Sequence, residues 1–120
     1  MEETLSIADV VVCITNHNHN KNALQLKKIF LPFCDTLLID SGSKENVGFD
    51  IKLGNVFYSG LFNESVTIAK RLGKKYLFFI ASDVIIKDAR ELVTCINGLP
   101  NSVGVWAPSA TGQRVDHCSN

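Results

Sequence analysis

An apolar stretch that ends in a carboxylate constrains the fold of this chain most strongly. Positions 76–84 read Tyr-Leu-Phe-Phe-Ile-Ala-Ser-Asp-Val. A run of apolar and aromatic side chains such as this is typical of a central strand in a sheet that is covered on both faces. Asp83 then falls at the carboxyl end of the strand, where open α/β sheets bind their ligands. The plainer interpretation is that Asp83 caps the following turn.

Length and charge narrow the class of protein. We expect residues 1–120 to form a single domain, because 120 residues is a common size for one hydrophobic core. Lys plus Arg equals Asp plus Glu, at 12 each, so charge gives no reason to expect nucleic acid as a partner. No apolar run is long enough to span a bilayer, and the acidic N-terminus lacks the pattern of a signal peptide. We therefore expect a cytoplasmic protein with no transmembrane segment.

The cysteines and histidines do not form a recognisable metal or disulfide pattern. Cys13, Cys34 and Cys95 read as small buried hydrophobes, and we expect no disulfide framework. The four histidine and cysteine residues that could be considered for a zinc site do not have the spacing of any common zinc-ligand pattern. They are His17, His19, His117 and Cys118.

Apolar periodicity predicts strands that alternate with helices. The predicted strands cover residues 8–14, 36–39, 51–58, 76–80 and 103–106. The first predicted helix covers residues 22–33, with Pro32 expected to end or distort it. The second covers residues 64–72, with Asn63 as N-cap and Gly73 as its stop. A third helix opens at a capping box at residues 88–91 and closes at Gly98. This alternation predicts an α/β sheet with mainly parallel strands and helices on both faces.

Polar residues follow three of these strands. Asp40 and Asp83 end two strands, and a polar run at residues 15–20 ends a third. That run is equally compatible with a plain loop and with a ligand-facing loop. The glycine-rich fingerprints of dinucleotide and P-loop sites are absent from the sequence. A carboxylate can instead hold a diphosphate through Mg²⁺ or Mn²⁺, and a second can accept a hydrogen bond from a nucleobase or ribose.

Taken together, these motifs resemble a known family. Residues 10–18, 38–43 and 76–84 are similar to the first strand and loop, the Asp-x-Gly-Ser strand and the Asp-x-Asp strand of GT-A glycosyltransferases, particularly the family 2 type. Residues 59–63 stand where that family has a glycine-containing turn before a helix. The resemblance spans residues 8–108. It implies a Rossmann-like GT-A sheet.

The resemblance also implies roles for individual residues. Asp40 would hydrogen-bond the base or ribose, and Asp83 would ligate a Mg²⁺ or Mn²⁺ ion that neutralises the diphosphate leaving group. The implied reaction transfers a sugar from a nucleotide-diphosphate sugar to the hydroxyl of an acceptor that the sequence does not identify. The nucleotide-binding residues that the resemblance implies are Thr15, Asn16, Asn18, Asp40, Ser41, Ser43, Asn63 and Ser82.

The chain departs from the family pattern in two places. Ala81 replaces the first carboxylate of the Asp-x-Asp element, and no residue after Pro108 serves as a catalytic base. We therefore expect a truncated domain, the nucleotide-binding N-terminal half of a longer enzyme, with no base assigned. The alternative is a non-catalytic α/β nucleotide-binding or interaction domain. If the second half is missing, we expect self-association through an exposed sheet edge.

Overall fold

The computed structural model describes residues 6–44, 48–54, 56, 58–86 and 88–100. Its elements in chain order are a 3-10 turn at Ile7–Asp9, β1 (Val10–Asn16), α1 (Asn20–Phe30), β2 (Asp35–Ser41), β3 (Ile51–Leu53), α2 (Tyr58–Arg71), β4 (Tyr76–Ala81) and α3 (Arg90–Asn97). The predicted strand at residues 103–106 lies outside the described residues. Within the described ranges, no helix is both long and apolar enough to cross a membrane.

The four described strands form one sheet in the order β3-β2-β1-β4, and every pairing is parallel. In this register Asn16 of β1 lies opposite Asp40 of β2, and Asp40 lies opposite Lys52 of β3. Because the strands are parallel, their carboxyl ends meet at one edge of the sheet. The predicted α/β class with a parallel sheet is therefore confirmed.

The described part of the chain gives β4 one neighbouring strand, β1, and the strand predicted at residues 103–106 lies outside it. Among the described strands, β1 has a partner on each side, whereas β4 lies at one end of the order. Every residue of β1 is buried, while the side chains from Tyr76 to Phe79 in β4 are half-buried. The aromatic run of β4 predicts a strand correctly, but its composition does not specify which strands lie beside it.

Alternating strand side chains supply two apolar cores, one on each face of the sheet. On one face, the core contains Val12, Ile14, Leu38 and Ile80 with Ala23, Leu26 and Phe30 of α1 and Ala89 at the start of α3. On the other face, it contains Val11, Cys13 and Ile39 with Leu61, Ile68 and Ala69 of α2. Each fully buried aliphatic or aromatic side chain contributes about 1.5–3 kcal/mol. Both faces are covered, as predicted.

The segment between β3 and α2 was predicted incorrectly. Residues 51–58 were expected to be a strand, but β3 ends at Leu53 and α2 begins at Tyr58. Asn63 is therefore not an N-cap: it lies inside α2, where its carbonyl accepts a hydrogen bond from the Thr67 hydroxyl at 3.0 Å. Burying Leu61 against the sheet outweighs the local strand propensity of the residues before it.

The observed ends of the helices agree better with the positions predicted from the sequence. Gly73 adopts φ +71°, a left-handed conformation that favours glycine, and it stops α2 as predicted. Helix α1 ends at Phe30, just before Pro32, instead of at residue 33. The N-cap of α3 is Ala89, and not Asp88 as the capping box predicts. Asp88 accepts a hydrogen bond from the Arg90 backbone N–H at 2.9 Å, and its side-chain hydrogen bonds with Arg90 lower the pKa of Asp88.

The three described cysteines differ in environment. Cys13 is buried in β1 and Cys34 is half-buried, and both are free thiols. Burial raises the pKa of the Cys13 thiol from 9.0 to about 11 and also raises the pKa of Cys34. Cys95 of α3 is buried, as expected for a small buried hydrophobe.

The raised pKa of the Cys13 thiol predicts that the free energy of unfolding falls at alkaline pH. A group whose pKa rises on folding stabilises the fold fully below its unfolded pKa and loses that contribution as pH rises through the folded pKa. For Cys13 the contribution is lost between pH 9.0 and about pH 11, and we expect the free energy of unfolding to fall by on the order of 1–2 kcal/mol. Urea unfolding of wild type and of Cys13→Ala across this pH range measures the loss of stability that is due to Cys13. Equal pH slopes for the two proteins would contradict the prediction.

Candidate functional site

The most densely hydrogen-bonded polar group lies at the carboxyl edge of the sheet and is built from Asn16, Asp40 and Ser43. Asn16 ends β1, Asp40 lies near the end of β2, and Ser43 follows in the next loop. Asn16 Nδ2 donates to Asp40 Oδ1 at 3.1 Å and to Ser43 Oγ at 3.2 Å. All three side chains are buried. The structure thus brings together three of the residues that the sequence singled out.

Asp40 is the most enclosed carboxylate of the described residues. Its exposure is 0%, and Oδ2 accepts a hydrogen bond from the Ser43 backbone N–H at 2.9 Å. The Ser43 hydroxyl and the Asn16 amide both donate to Oδ1. A buried carboxylate is tolerated when hydrogen bonds and a nearby cation compensate its charge. The cation is Lys52, whose Nζ lies 3.6 Å from Oδ2.

The loop between β1 and α1 is held by the same polar group. Asn18 adopts φ 62°, a left-handed conformation that asparagine tolerates better than most residues. Its backbone N–H donates to Ser43 Oγ at 2.8 Å, and the backbone N–H of His19 donates to Asn16 Oδ1 at 3.0 Å. The polar run that follows β1 is therefore a folded loop packed against the Asp40 group.

A second group of contacts joins this loop to the end of β4. The Ser82 backbone N–H donates to the Thr15 carbonyl at 2.8 Å, and Thr15 Oγ1 donates to the Ile80 carbonyl at 3.3 Å. Asn22 of α1 donates from Nδ2 to the carbonyls of Ser82 and Val84 at 2.5 and 2.8 Å. The sequence did not identify Asn22 as part of the site, because one asparagine in a helix carries no distinctive signal.

Asp83 has an environment opposite to that of Asp40. It is exposed, and no described residue forms a hydrogen bond or ion pair with its carboxylate. No cluster of three or more His, Cys, Asp or Glu side chains suited to a metal ion occurs among the described residues. A magnesium ion commonly binds through one or two carboxylates plus substrate phosphates and water. Asp83 fits such a shared site as a single protein ligand.

The remaining predicted site residues lie in different settings. The Ser41 hydroxyl donates to the Val56 carbonyl at 2.8 Å and accepts from the Val56 N–H at 3.0 Å, so its bonds are made within the fold. Asn63 is exposed on α2, and none of its described hydrogen bonds joins it to the Asp40 group. Ser82 is 3% exposed, with its hydroxyl 3.5 Å from His19 Nδ1.

Comparisons of the chain with protein-family models, curated proteins and solved structures give no match. What the fold itself defines is a parallel, Rossmann-like α/β domain with a polar carboxyl edge.

Proposed function

We propose that this chain forms the nucleotide-sugar-binding part of a GT-A-like, family 2-like glycosyltransferase. The contrast between two strand-end carboxylates is the main support. Asp40 is buried and fixed by hydrogen bonds, whereas Asp83 is exposed and has no described partner. A fixed carboxylate suits recognition of a base or ribose, and an exposed one suits a cation shared with a diphosphate.

In this proposal the loop of residues 15–18 lies against the nucleoside and Asp40 accepts a hydrogen bond from it. Asn16 and Ser43 act as positioning residues, because they hold the Asp40 carboxylate in one orientation. Asp83 holds Mg²⁺ or Mn²⁺ together with the diphosphate. When bound, the cation supplies Lewis-acid stabilisation of the departing diphosphate. We assign no general base for the acceptor hydroxyl.

A non-catalytic nucleotide-binding or interaction domain is the second candidate. Its support is that, among the described residues, Asp83 belongs to no group of three or more His, Cys, Asp or Glu side chains that could hold a metal ion. Such a domain would bind a nucleotide without transferring a sugar. A transfer or hydrolysis assay with nucleotide-diphosphate sugars separates the two candidates, since turnover would exclude the second.

The first test is replacement of Asp83 by asparagine. Asparagine keeps the size of the side chain but removes the negative charge that would hold a divalent cation. We expect wild-type chain to bind one of UDP, GDP and dTDP more tightly with Mn²⁺ than without it. Asp83→Asn should lower the Mn²⁺-dependent affinity at least about tenfold, a loss of about 1.4 kcal/mol. Isothermal titration calorimetry of each nucleotide, with and without Mn²⁺, measures both quantities.

Asp35→Asn is the matched control. Asp35 is also exposed, and its replacement removes the same charge, but it begins β2 and so lies at the opposite edge of the sheet. Its ion pair with Lys74 is at the surface, where such pairs contribute little. Equal losses of affinity in both variants would indicate a general charge effect. Unchanged Mn²⁺-dependent binding by Asp83→Asn would overturn the role of Asp83.

A further inference from the structure

Asn22 joins helix α1 to the turn that carries Asp83. It is the third residue of α1, and its Nδ2 lies 2.5 Å from the Ser82 carbonyl oxygen and 2.8 Å from the Val84 carbonyl oxygen. Carbonyl oxygens only accept hydrogen bonds, so Nδ2 and not Oδ1 of the amide faces them. An amide nitrogen has two N–H donors. Asn22 therefore gives one to each of the two carbonyls that flank Asp83.

Backbone hydrogen bonds hold the same turn against the sheet. The Ser82 N–H donates to the Thr15 carbonyl of β1 at 2.8 Å, and the Val84 N–H donates to the Ala81 carbonyl at 3.2 Å. With the two bonds from α1, the N–H and the carbonyl of both neighbours of Asp83 are engaged. The Asp83 carboxylate is exposed and has no partner in the described part of the chain. The backbone is thus fixed on both sides of a side chain that faces solvent.

Helix α1 gives the Asn22 amide a rigid base. Ala23 and Leu26 of α1 are both 0% exposed and belong to the core between this helix and the sheet. The hydrogen bond to Val84 is exposed and the one to Ser82 is partly buried. Water can replace such bonds, so their loss costs the fold little. Their main effect is on the position of the turn.

We propose that Asn22 is a positioning residue for Asp83, which it holds at one place relative to the bound diphosphate. This inference rests on the proposed nucleotide-sugar-binding function. Mg²⁺ requires nearly octahedral geometry with ligand distances of about 2.0–2.1 Å, so a carboxylate that moves with its turn holds the cation less tightly. Asp83 is the single protein ligand in the proposed site. Its place is therefore set by the hydrogen bonds that fix its backbone.

The experiment replaces Asn22 by leucine, which has a similar size, no donor and a higher helix propensity. Isothermal titration calorimetry measures the affinity of the tightest-binding of UDP, GDP and dTDP with and without Mn²⁺. We expect Asn22→Leu to lower the ratio of these two affinities at least about fivefold, because both hydrogen bonds to the Asp83 turn are lost. The affinity without Mn²⁺ should stay within about twofold of wild type. A purely structural role would weaken both affinities equally and leave the ratio unchanged.

Two further variants test whether Asn22 acts through Asp83. Asn22→Gln keeps both N–H donors on a longer side chain, so it should retain more of the ratio than Asn22→Leu, and it serves if the leucine variant does not fold. In the Asp83→Asn background, Asn22→Leu should not lower the ratio further, because both changes act on one carboxylate. Additive losses in the double variant would contradict a positioning role.

Asn97→Leu is the matched control. Asn97 ends α3, and its Oδ1 accepts a hydrogen bond from the Ile7 backbone N–H at 2.8 Å, so it also joins two distant segments. Ile7 lies just before β1, at the opposite edge of the sheet from Asp83. Asn97→Leu should leave the Mn²⁺ ratio unchanged, and an equal reduction in both variants would overturn this inference.

The wild-type result separates this inference from the proposed function. If wild type binds a nucleotide more tightly with Mn²⁺ and Asn22→Leu keeps the same ratio, the inference is overturned and the proposed function stands. If wild type binds no nucleotide more tightly with Mn²⁺ than without it, both are overturned.

Discussion

Replacing Asn16 by aspartate is expected to lower the free energy of unfolding by about 3–5 kcal/mol at neutral pH. Asn16 is 1% exposed, and its Nδ2 lies 3.1 Å from Asp40 Oδ1. Aspartate has nearly the same shape but exchanges this donor for a second carboxylate. Two buried carboxylates in contact repel each other, and the hydrogen bonds that Nδ2 donates to Asn20 and Ser43 are also lost.

The effect of Asn16→Asp should depend on pH in a defined direction. Burial and the Asp40 charge both raise the pKa of the new carboxyl group in the folded state. Its protonated form is therefore favoured by folding, so the penalty is smallest at acidic pH and grows as pH rises through the folded pKa. Urea unfolding of variant and wild type between about pH 4 and about pH 8 measures this, and the difference in stability should widen with pH.

Asn18→Asp is the matched control, because it adds the same charge two residues away in an exposed position. Aspartate tolerates the left-handed backbone of Asn18 and retains an oxygen for the Lys44 N–H. Its stability should change by less than about 1 kcal/mol, as is usual at exposed positions. Similar losses in both variants would contradict the assignment of Asn16 as the centre of a buried polar group.

Phe30→Ala is expected to remove about 3–5 kcal/mol of stability through loss of core packing. Phe30 ends α1, is 1% exposed and meets the Phe78 ring of β4 edge to face, with 5.8 Å between ring centres. The substitution leaves a cavity between α1 and the sheet, and the aromatic contact is lost as well. A domain of this size has roughly 5–15 kcal/mol of stability in total, so the variant should be severely weakened.

Phe33→Ala makes the same chemical change three residues later, where the side chain is 37% exposed. It should cost much less than Phe30→Ala, because fewer apolar contacts are removed from the interior. Urea unfolding midpoints of the two variants, at equal m-value, provide the comparison. Equal destabilisation would show that Phe30 contributes no more to the core than an exposed phenylalanine.

Local pattern was sufficient to predict most of the fold. The apolar runs that became β1, β2 and β4 predict strands because residues buried on both faces leave no polar alternation in the sequence. Gly73 and Pro32 mark helix ends because each acts on the backbone of its own turn. The polar residues Asn16, Asp40 and Asp83 follow from the same runs, since each lies at or just beyond the carboxyl end of a buried strand.

The part of the site that could not be predicted depends on contacts between distant residues. Asn16 and Asp40 are 24 residues apart, and Asn22 and Ser82 are 60 apart, so no sequence period relates them. The apolar residues before α2 have the local propensity of a strand. Burial of Leu61 against the sheet, and not local propensity, decides where the helix forms.

Local composition and periodicity therefore predict the α/β class, the buried strands and the polar residues at their carboxyl ends. Packing of the segments places β1 between β2 and β4, encloses Asp40 while Asp83 stays exposed, and brings Lys52 Nζ within 3.6 Å of Asp40. The physical reason is that periodicity reports how each segment meets solvent or core, whereas lateral strand order and hydrogen-bond partners are set by how the segments pack together.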